Sequence, residues 1–150
     1  MKMLFVCLGN ICRSPMAEGI MRKKIKERAL DWTIDSAGTG PWHVGEAPDS
    51  RAQATMLGKG MDISDLRGRQ FAQEDFNHFD LILTMDESNY RNVMALARNE
   101  AECKKVKRIL DFHPESLKEV PDPYWDSHGF AKVYRLLDEA TDALIEEYHK

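Results

Sequence analysis

Cys7-Leu8-Gly9-Asn10-Ile11-Cys12-Arg13-Ser14 sets a thiol and a guanidinium six positions apart with a glycine and an asparagine between them. If this run joins a strand to the start of a helix, its backbone N–H groups can turn inward and cradle an anion. Gly9 is expected to let the backbone take a conformation closed to most residues, and Asn10 tolerates the left-handed region better than most. Arg13 adds a planar fork that matches two phosphate oxygens at once. The same positive field favours thiolate over thiol at Cys7. A thiolate facing a bound phosphate stands in line for attack on phosphorus, and the loop donors meet the charge that spreads over the equatorial oxygens. Residues 8–14 therefore form the expected phosphate-binding set, with Cys7 as nucleophile. A bare Cys-x5-Arg arises often by chance; its place between an apolar run and a Ser-Pro pair is what gives it weight.

A thiolate that displaces an alkoxide or phenoxide needs a proton donor for the departing oxygen. Asp122, in Val120-Pro-Asp-Pro-Tyr-Trp125, is the best candidate. Two prolines stiffen its loop, and the adjacent aromatics are expected to desolvate the carboxyl. Asp86 is the next choice. No Gly-x4-Gly-Lys-Ser/Thr or Gly-x-Gly-x-x-Gly run is present, Cys7 and Cys12 are spaced wrongly for a zinc knuckle, and the five histidines are scattered. Neither a metal nor any other cofactor is expected.

These groups need a scaffold. Leu4, Phe5 and Val6 mark a buried first strand, ending at Cys7. Ser14-Pro15 reads as an N-cap followed by the first helical position, and Met16, Ala17, Ile20, Met21 and Ile25 keep a helical period after it. Residues 32–37 read as a second strand, 80–84 as a third and 106–110 as a fourth. Asp49 and Asp86 are expected to cap helices running to about Gly58 and Ala97. Phe130, Val133, Tyr134, Leu137, Ala140, Leu144, Ile145 and Tyr148 give the last helix a continuous apolar stripe. Strands alternating with helices imply an α/β fold: one domain over 1–150, built on a four-stranded parallel twisted sheet with helices on both faces. In such sheets reacting groups gather at the carboxyl ends of the strands, which brings Cys7, Ser36 and Asp122 to one rim.

The chain has 150 residues, 43% hydrophobic and 31% charged, the balance of a soluble globular domain. No apolar run approaches the ~20 residues that span a bilayer, and residues 1–7 are too short for a signal peptide. Three cysteines suit a reducing compartment, so a cytoplasmic location is expected. The net charge of −4 makes nucleic acid an unlikely partner, and the basic runs 22–28 and 104–108 read as solvated surface.

The chain resembles the low-molecular-weight protein tyrosine phosphatase family. The resemblance rests on Val6-Cys-Leu-Gly-Asn-Ile-Cys-Arg-Ser-Pro15, Asp35-Ser-Ala-Gly38, Arg69-Gln70, Glu74-Asp75-Phe76, Met85-Asp-Glu-Ser-Asn89 and Asp122-Pro-Tyr124. It implies Cys7 as nucleophile, Arg13 as the phosphate-binding arginine, and Asp122 as general acid and then as base for the hydrolytic water. Asn10 resembles a loop-shaping asparagine, Ser14 the hydroxyl that bonds the thiolate, and Ser36 the serine that steadies Asn10. Cys12 resembles the neighbour that pairs reversibly with Cys7 under peroxide. Trp42 and His43 match one wall of the family's substrate cleft, Tyr124 and Trp125 the other; an aromatic slot suits a phosphotyrosine ring. One departure stands out: a histidine that supports the cysteine loop in many members falls on Leu66 here.

The implied function is hydrolysis of phosphotyrosine in proteins, and of small aryl phosphates, by a monomer with at most weak self-association. A thiol-dependent arsenate reductase shares the loop but needs two further neighbouring cysteines; residues 84–86 hold none, and Cys103 stands alone. A phosphate-passing carrier has no use for a hydrolytic acid, and a non-catalytic phosphate-binding module has no use for the Cys7, Arg13 and Asp122 set.

Overall fold

The computed structural model describes residues 1–149. Four strands, β1 (Lys2–Cys7), β2 (Thr33–Gly38), β3 (Leu81–Thr84) and β4 (Val106–Arg108), pair in the order β2-β1-β3-β4, all parallel. The helices are α1 (Arg13–Glu27), α2 (Ser50–Leu57), α3 (Asp75–His78), α4 (Glu87–Leu96), α5 (Glu100–Cys103) and α6 (Phe130–Tyr148). Strand alternation divides the interior into two layers. Met3, Phe5 and Cys7 face a larger core with Met16, Ile20, Leu137 and Leu144 of α1 and α6. Leu4 and Val6 face a smaller one with Phe71, Phe76, Phe79 and Val93. The sheet is thus covered on both faces, as the alternation of elements implies.

Local caps form where the sequence signals them. Asp49 accepts from Arg51 N at the start of α2, and Asp86 accepts from Asn89 N at the start of α4. Two expectations need correction. Ser14 is not the cap of α1: it sits inside the helix, Cys12 takes the N-cap position, and no side chain caps it. The fourth strand is only three residues long, because Ile109–Phe112 tighten into a 3-10 turn whose Ile109 and Leu110 are buried in the larger core.

The basic run on α1 is likewise not uniformly solvated. Lys24 is buried, donating to Asp138 O at 2.6 Å and Thr141 Oγ1 at 2.8 Å and pairing with Asp138 and Asp142 of α6. That cluster ties α1, which carries the cysteine loop at its start, to the last helix. Among the described residues no helix is long and apolar enough to cross a membrane.

Candidate active site

Residues 8–12 form the turn between β1 and α1, at the carboxyl edge of the sheet. Asn10 has φ 58°, the left-handed conformation its side chain tolerates. Gly9 does not lie in that region, contrary to expectation. Its requirement is room: a Cβ there would stand 3.0 Å from His43 Cδ2. Gly38, at the end of β2, is packed still closer, since a Cβ there would meet Leu8 O at 2.8 Å and Asn10 N at 3.1 Å. Among the described residues no acceptor takes the N–H groups of Leu8, Gly9, Ile11, Cys12 or Arg13. Such a run of unpartnered donors at a helix start makes a cradle suited to an anion.

Under the cradle runs a directed set of hydrogen bonds. Asn10 Nδ2 donates to Ser14 Oγ at 2.8 Å and to Ser36 Oγ at 3.0 Å, while its Oδ1 accepts from Arg69 N. Ser36 Oγ donates in turn to Glu18 Oε1 at 2.7 Å. Ser14 Oγ lies 3.0 Å from Cys7 Sγ, which also accepts from Asn10 N at 3.3 Å. The side chains of Asn10 and Ser14 thus lie below the loop, holding its shape and facing the sulfur, and do not line the cleft. Leu66, at the position of the histidine that the resemblance calls for, packs half-buried against the larger core. Arg69 N and the Ser36–Glu18 pair hold Asn10 instead.

Glu18 was not singled out in the sequence because it looks like an ordinary helix-surface glutamate. It is only 6% exposed. Burial raises its pKa and Asp35 adds to the effect; the Ser36 hydroxyl and Arg22 oppose them.

Arg13 is 2% exposed and still charged. Burial, the largest single influence, works against its proton, but Cys7, Asp86 and Asp122 together raise its pKa above the usual arginine value. Its Nη1 donates to Asp86 Oδ2 at 2.6 Å and to Val120 O at 3.0 Å, and its Nη2 stands 3.6 Å from Asp122 Oδ2. Asp86 is therefore Arg13's anchor. Asp122 Oδ1 accepts from Tyr124 N at 3.1 Å, capping a 3-10 turn, Pro123–Trp125. The aromatics do not enclose this carboxyl: Trp125 is 87% exposed and the Asp122 side chain 33%.

Cys7, Leu8, Gly9, Ile11, Cys12, Arg13 and Asp122 line a cleft of about 250 Å³ together with Trp42, His43, Tyr124 and Trp125. The His43 and Tyr124 rings lie with centroids 6.4 Å apart, tilted by 47° to one another. Burial pushes the Cys12 thiol well above the ordinary cysteine range, with Asp49, Cys7 and Asp122 adding to the effect. Cys103 ends α5 and does not line the cleft. Among the described residues no group of three His, Cys, Asp or Glu is placed to hold a metal ion.

Fold and site together define an α/β protein whose first strand ends in a cysteine sulfur beside a loop of backbone N–H groups left without acceptors among the described residues. The family model described as low molecular weight phosphotyrosine protein phosphatase matches residues 2–150. The human low molecular weight phosphotyrosine protein phosphatase is 38% identical, over 97% of this chain and 94% of its own. A crystal structure of a protein tyrosine phosphatase from Entamoeba histolytica superposes with a TM-score of 0.94 at 38% identity, covering 99% of this chain and 97% of that one. A Drosophila arginine phosphatase superposes with a TM-score of 0.94 at 33% identity, covering 100% and 99%. The chain belongs to the low molecular weight phosphotyrosine protein phosphatase family.

Proposed function

We propose that this phosphatase hydrolyses phosphotyrosine in proteins, and small aryl phosphates, through a phosphocysteine on Cys7. The observation that carries the reading is the sulfur of Cys7 beside five loop N–H groups that no acceptor takes among the described residues. The cleft above has Trp42, His43, Tyr124 and Trp125 in its lining, aromatic surface of the kind that receives a phenyl ring. In the first step Cys7 Sγ attacks phosphorus, and the bond to the phenolic oxygen breaks. Asp122 gives its proton to that oxygen, while Arg13 and the loop amides hold the phosphoryl oxygens. In the second step the Asp122 carboxylate takes a proton from water, whose oxygen attacks phosphorus; the S–P bond breaks and its electrons return to Cys7. Phosphate then leaves.

The same site supports a redox brake. Peroxide oxidises Cys7 to the sulfenic acid, and the Cys12 thiol condenses with it to a disulfide with loss of water; an external thiol restores both. Since Cys12 is held as a thiol by its burial, Cys7 is the residue oxidised first. The reading takes the protein as a cytoplasmic monomer acting on phosphoprotein substrates; its three free cysteines fit a reducing compartment.

The test compares a phosphotyrosine peptide, a phosphoarginine peptide and an alkyl phosphate with parent and Cys7→Ser protein, and repeats the assay with arsenate and thioredoxin. Expected are turnover of the phosphotyrosine peptide above the other two, none by Cys7→Ser, and vanadate binding by both proteins. Activity of Cys7→Ser within tenfold of the parent would sink the phosphocysteine, preference for phosphoarginine would replace the substrate class, and thioredoxin-dependent arsenate reduction would replace the reaction.

A further inference from the structure

The stretch that carries Asp122 leaves the core at Val120, which is fixed by its N–H to Met85 O and its carbonyl to Arg13, and returns at α6. In between, the backbone bonds are internal turns: Asp126 N to Pro123 O and Gly129 N to Asp126 O. Among the described residues, Arg51 makes the only side-chain hydrogen bonds that reach residues 121–128 from outside that stretch. Its Nη2 donates to Tyr124 O at 3.0 Å and its Nη1 to Ser127 Oγ at 3.2 Å. The guanidinium also stacks on the Tyr124 and Phe130 rings, 5.6 and 5.0 Å from their centroids.

Arg51 is itself held. Asp49 Oδ1 accepts from Arg51 N and Nε, and Asp49 Oδ2 accepts from Arg51 Nη2 at 2.9 Å. This pairing lowers the Asp49 pKa and raises that of Arg51. Asp49 N donates to Ile11 O at 2.8 Å, inside the phosphate cradle. A rigid bracket therefore runs from the floor of the cradle, through Asp49 and Arg51, to the carbonyl of Tyr124. The N–H of that same residue orients the Asp122 carboxylate.

We infer that Arg51 is a positioning residue that sets Asp122 at its distance from the phosphate cradle by clamping the backbone of the Pro123–Trp125 turn. The inference rests on Asp122 acting as the acid, as proposed above. Arg51 makes no contact with the reacting atoms; its effect passes through the loop. A lysine cannot reproduce it, because one ammonium cannot reach Asp49, Tyr124 O and Ser127 in a single plane.

The experiment measures the rate constant for phosphoenzyme formation in the parent, Asp122→Asn, Arg51→Met and the double variant, with nitrophenyl phosphate and with a phosphotyrosine peptide. Methionine retains an apolar stem against Phe130 and removes every donor. Arg51→Met is expected to slow the peptide about tenfold and nitrophenyl phosphate much less, since a misplaced acid matters most for a poor leaving group. In the Asp122→Asn background it should add less than about twofold, because the group it positions has gone. Equal losses for both substrates, or the same loss in both backgrounds, would show that Arg51 supports the cradle and would overturn the inference. If Asp122→Asn itself shows no leaving-group preference, the acid assignment falls and this inference with it. If Asp122→Asn shows that preference and Arg51→Met does not, only the bracket falls. Amide exchange gives a second readout: residues 121–128 should exchange faster in Arg51→Met while β1 and α1 keep parental protection, and unchanged exchange there would refute the clamp. Should Arg51→Met fail to fold, Ser127→Ala, which removes one surface contact of the clamp, is read by amide exchange: residues 121–128 should exchange faster, and unchanged exchange would refute the clamp.

Discussion

Replacing Glu18 by glutamine tests whether its buried carboxyl burdens the fold at neutral pH. The folded-state pKa of Glu18 is raised, chiefly by burial, above its ordinary value of 4.5. Between the unfolded and folded values the native protein binds more protons than the unfolded chain, so stability falls as pH rises through that window. The stabilisation is complete below the unfolded value and gone above the folded one. A single group gives a slope of at most about 1.4 kcal/mol per pH unit. Glu18→Gln abolishes the titration but keeps an oxygen that can accept from Ser36 Oγ, which lies 2.7 Å from Glu18 Oε1. Urea unfolding at half-unit steps from pH 4.5 to 8 should show the parent losing stability relative to Glu18→Gln as pH rises, then running parallel to it. Glu18→Gln should also keep kcat/KM within about threefold. Glu18→Ala leaves the Ser36 hydroxyl without its acceptor, a loss of about 1–3 kcal/mol. Carried into the transition state, that is about 5- to 150-fold in kcat/KM. A stability difference between parent and Glu18→Gln that does not change with pH would refute the reasoning.

Gly38→Ala forces a methyl against Leu8 O and Asn10 N, backbone atoms of the cradle; overpacking of this kind costs about 1–3 kcal/mol. Phosphate affinity should fall with kcat/KM, and parental values of both would show that the loop yields freely. Cys12→Ser should convert much of the peroxide inactivation from thiol-reversible to permanent, as measured by recovery after reduction. Mass spectrometry joining Cys7 to Cys103 in the parent would instead revive the reductase chemistry. Ala29→Gly should stabilise the protein by up to about 1 kcal/mol in urea melts without touching kcat, because Ala29, just past the C-cap Arg28 of α1, has φ 51°. Destabilisation would mean that its methyl contributes more than its backbone costs.

The cysteine loop was legible because its parts are neighbours: strand end, cradle and arginine lie within residues 7–13, and local spacing dictates their geometry. The caps at Asp49 and Asp86 were legible for the same reason, each bonding an N–H two or three residues on. Ser14 misled because Ser-Pro is an ordinary helix start; its hydroxyl is turned instead to Cys7 and Asn10 by a contact that no local pattern encodes. The second role of Asp86, across 73 positions to Arg13, and the role of Arg51, 73 positions from Tyr124, exist only once the strands are paired. Lys24 reads as part of a solvated basic run and Glu18 carries no local signal, yet each is buried beside a partner on another element. The aromatic walls were placed by resemblance, whereas the openness of Asp122 beside Trp125 ran against expectation.

Asp86 serves two masters with its two oxygens: Oδ1 holds the first turn of α4 through Asn89 N, and Oδ2 holds Arg13. At an ordinary helix start, Ser, Thr, Asn and Asp substitute for one another at small cost. Here that freedom is gone. Serine and threonine have one oxygen to offer, and asparagine would turn a donor toward either an amide or a guanidinium. A position that looks in the sequence like one of the most exchangeable in any protein is thus restricted to a single amino acid. Drift at the head of α4 would be felt first as a loosened grip on Arg13.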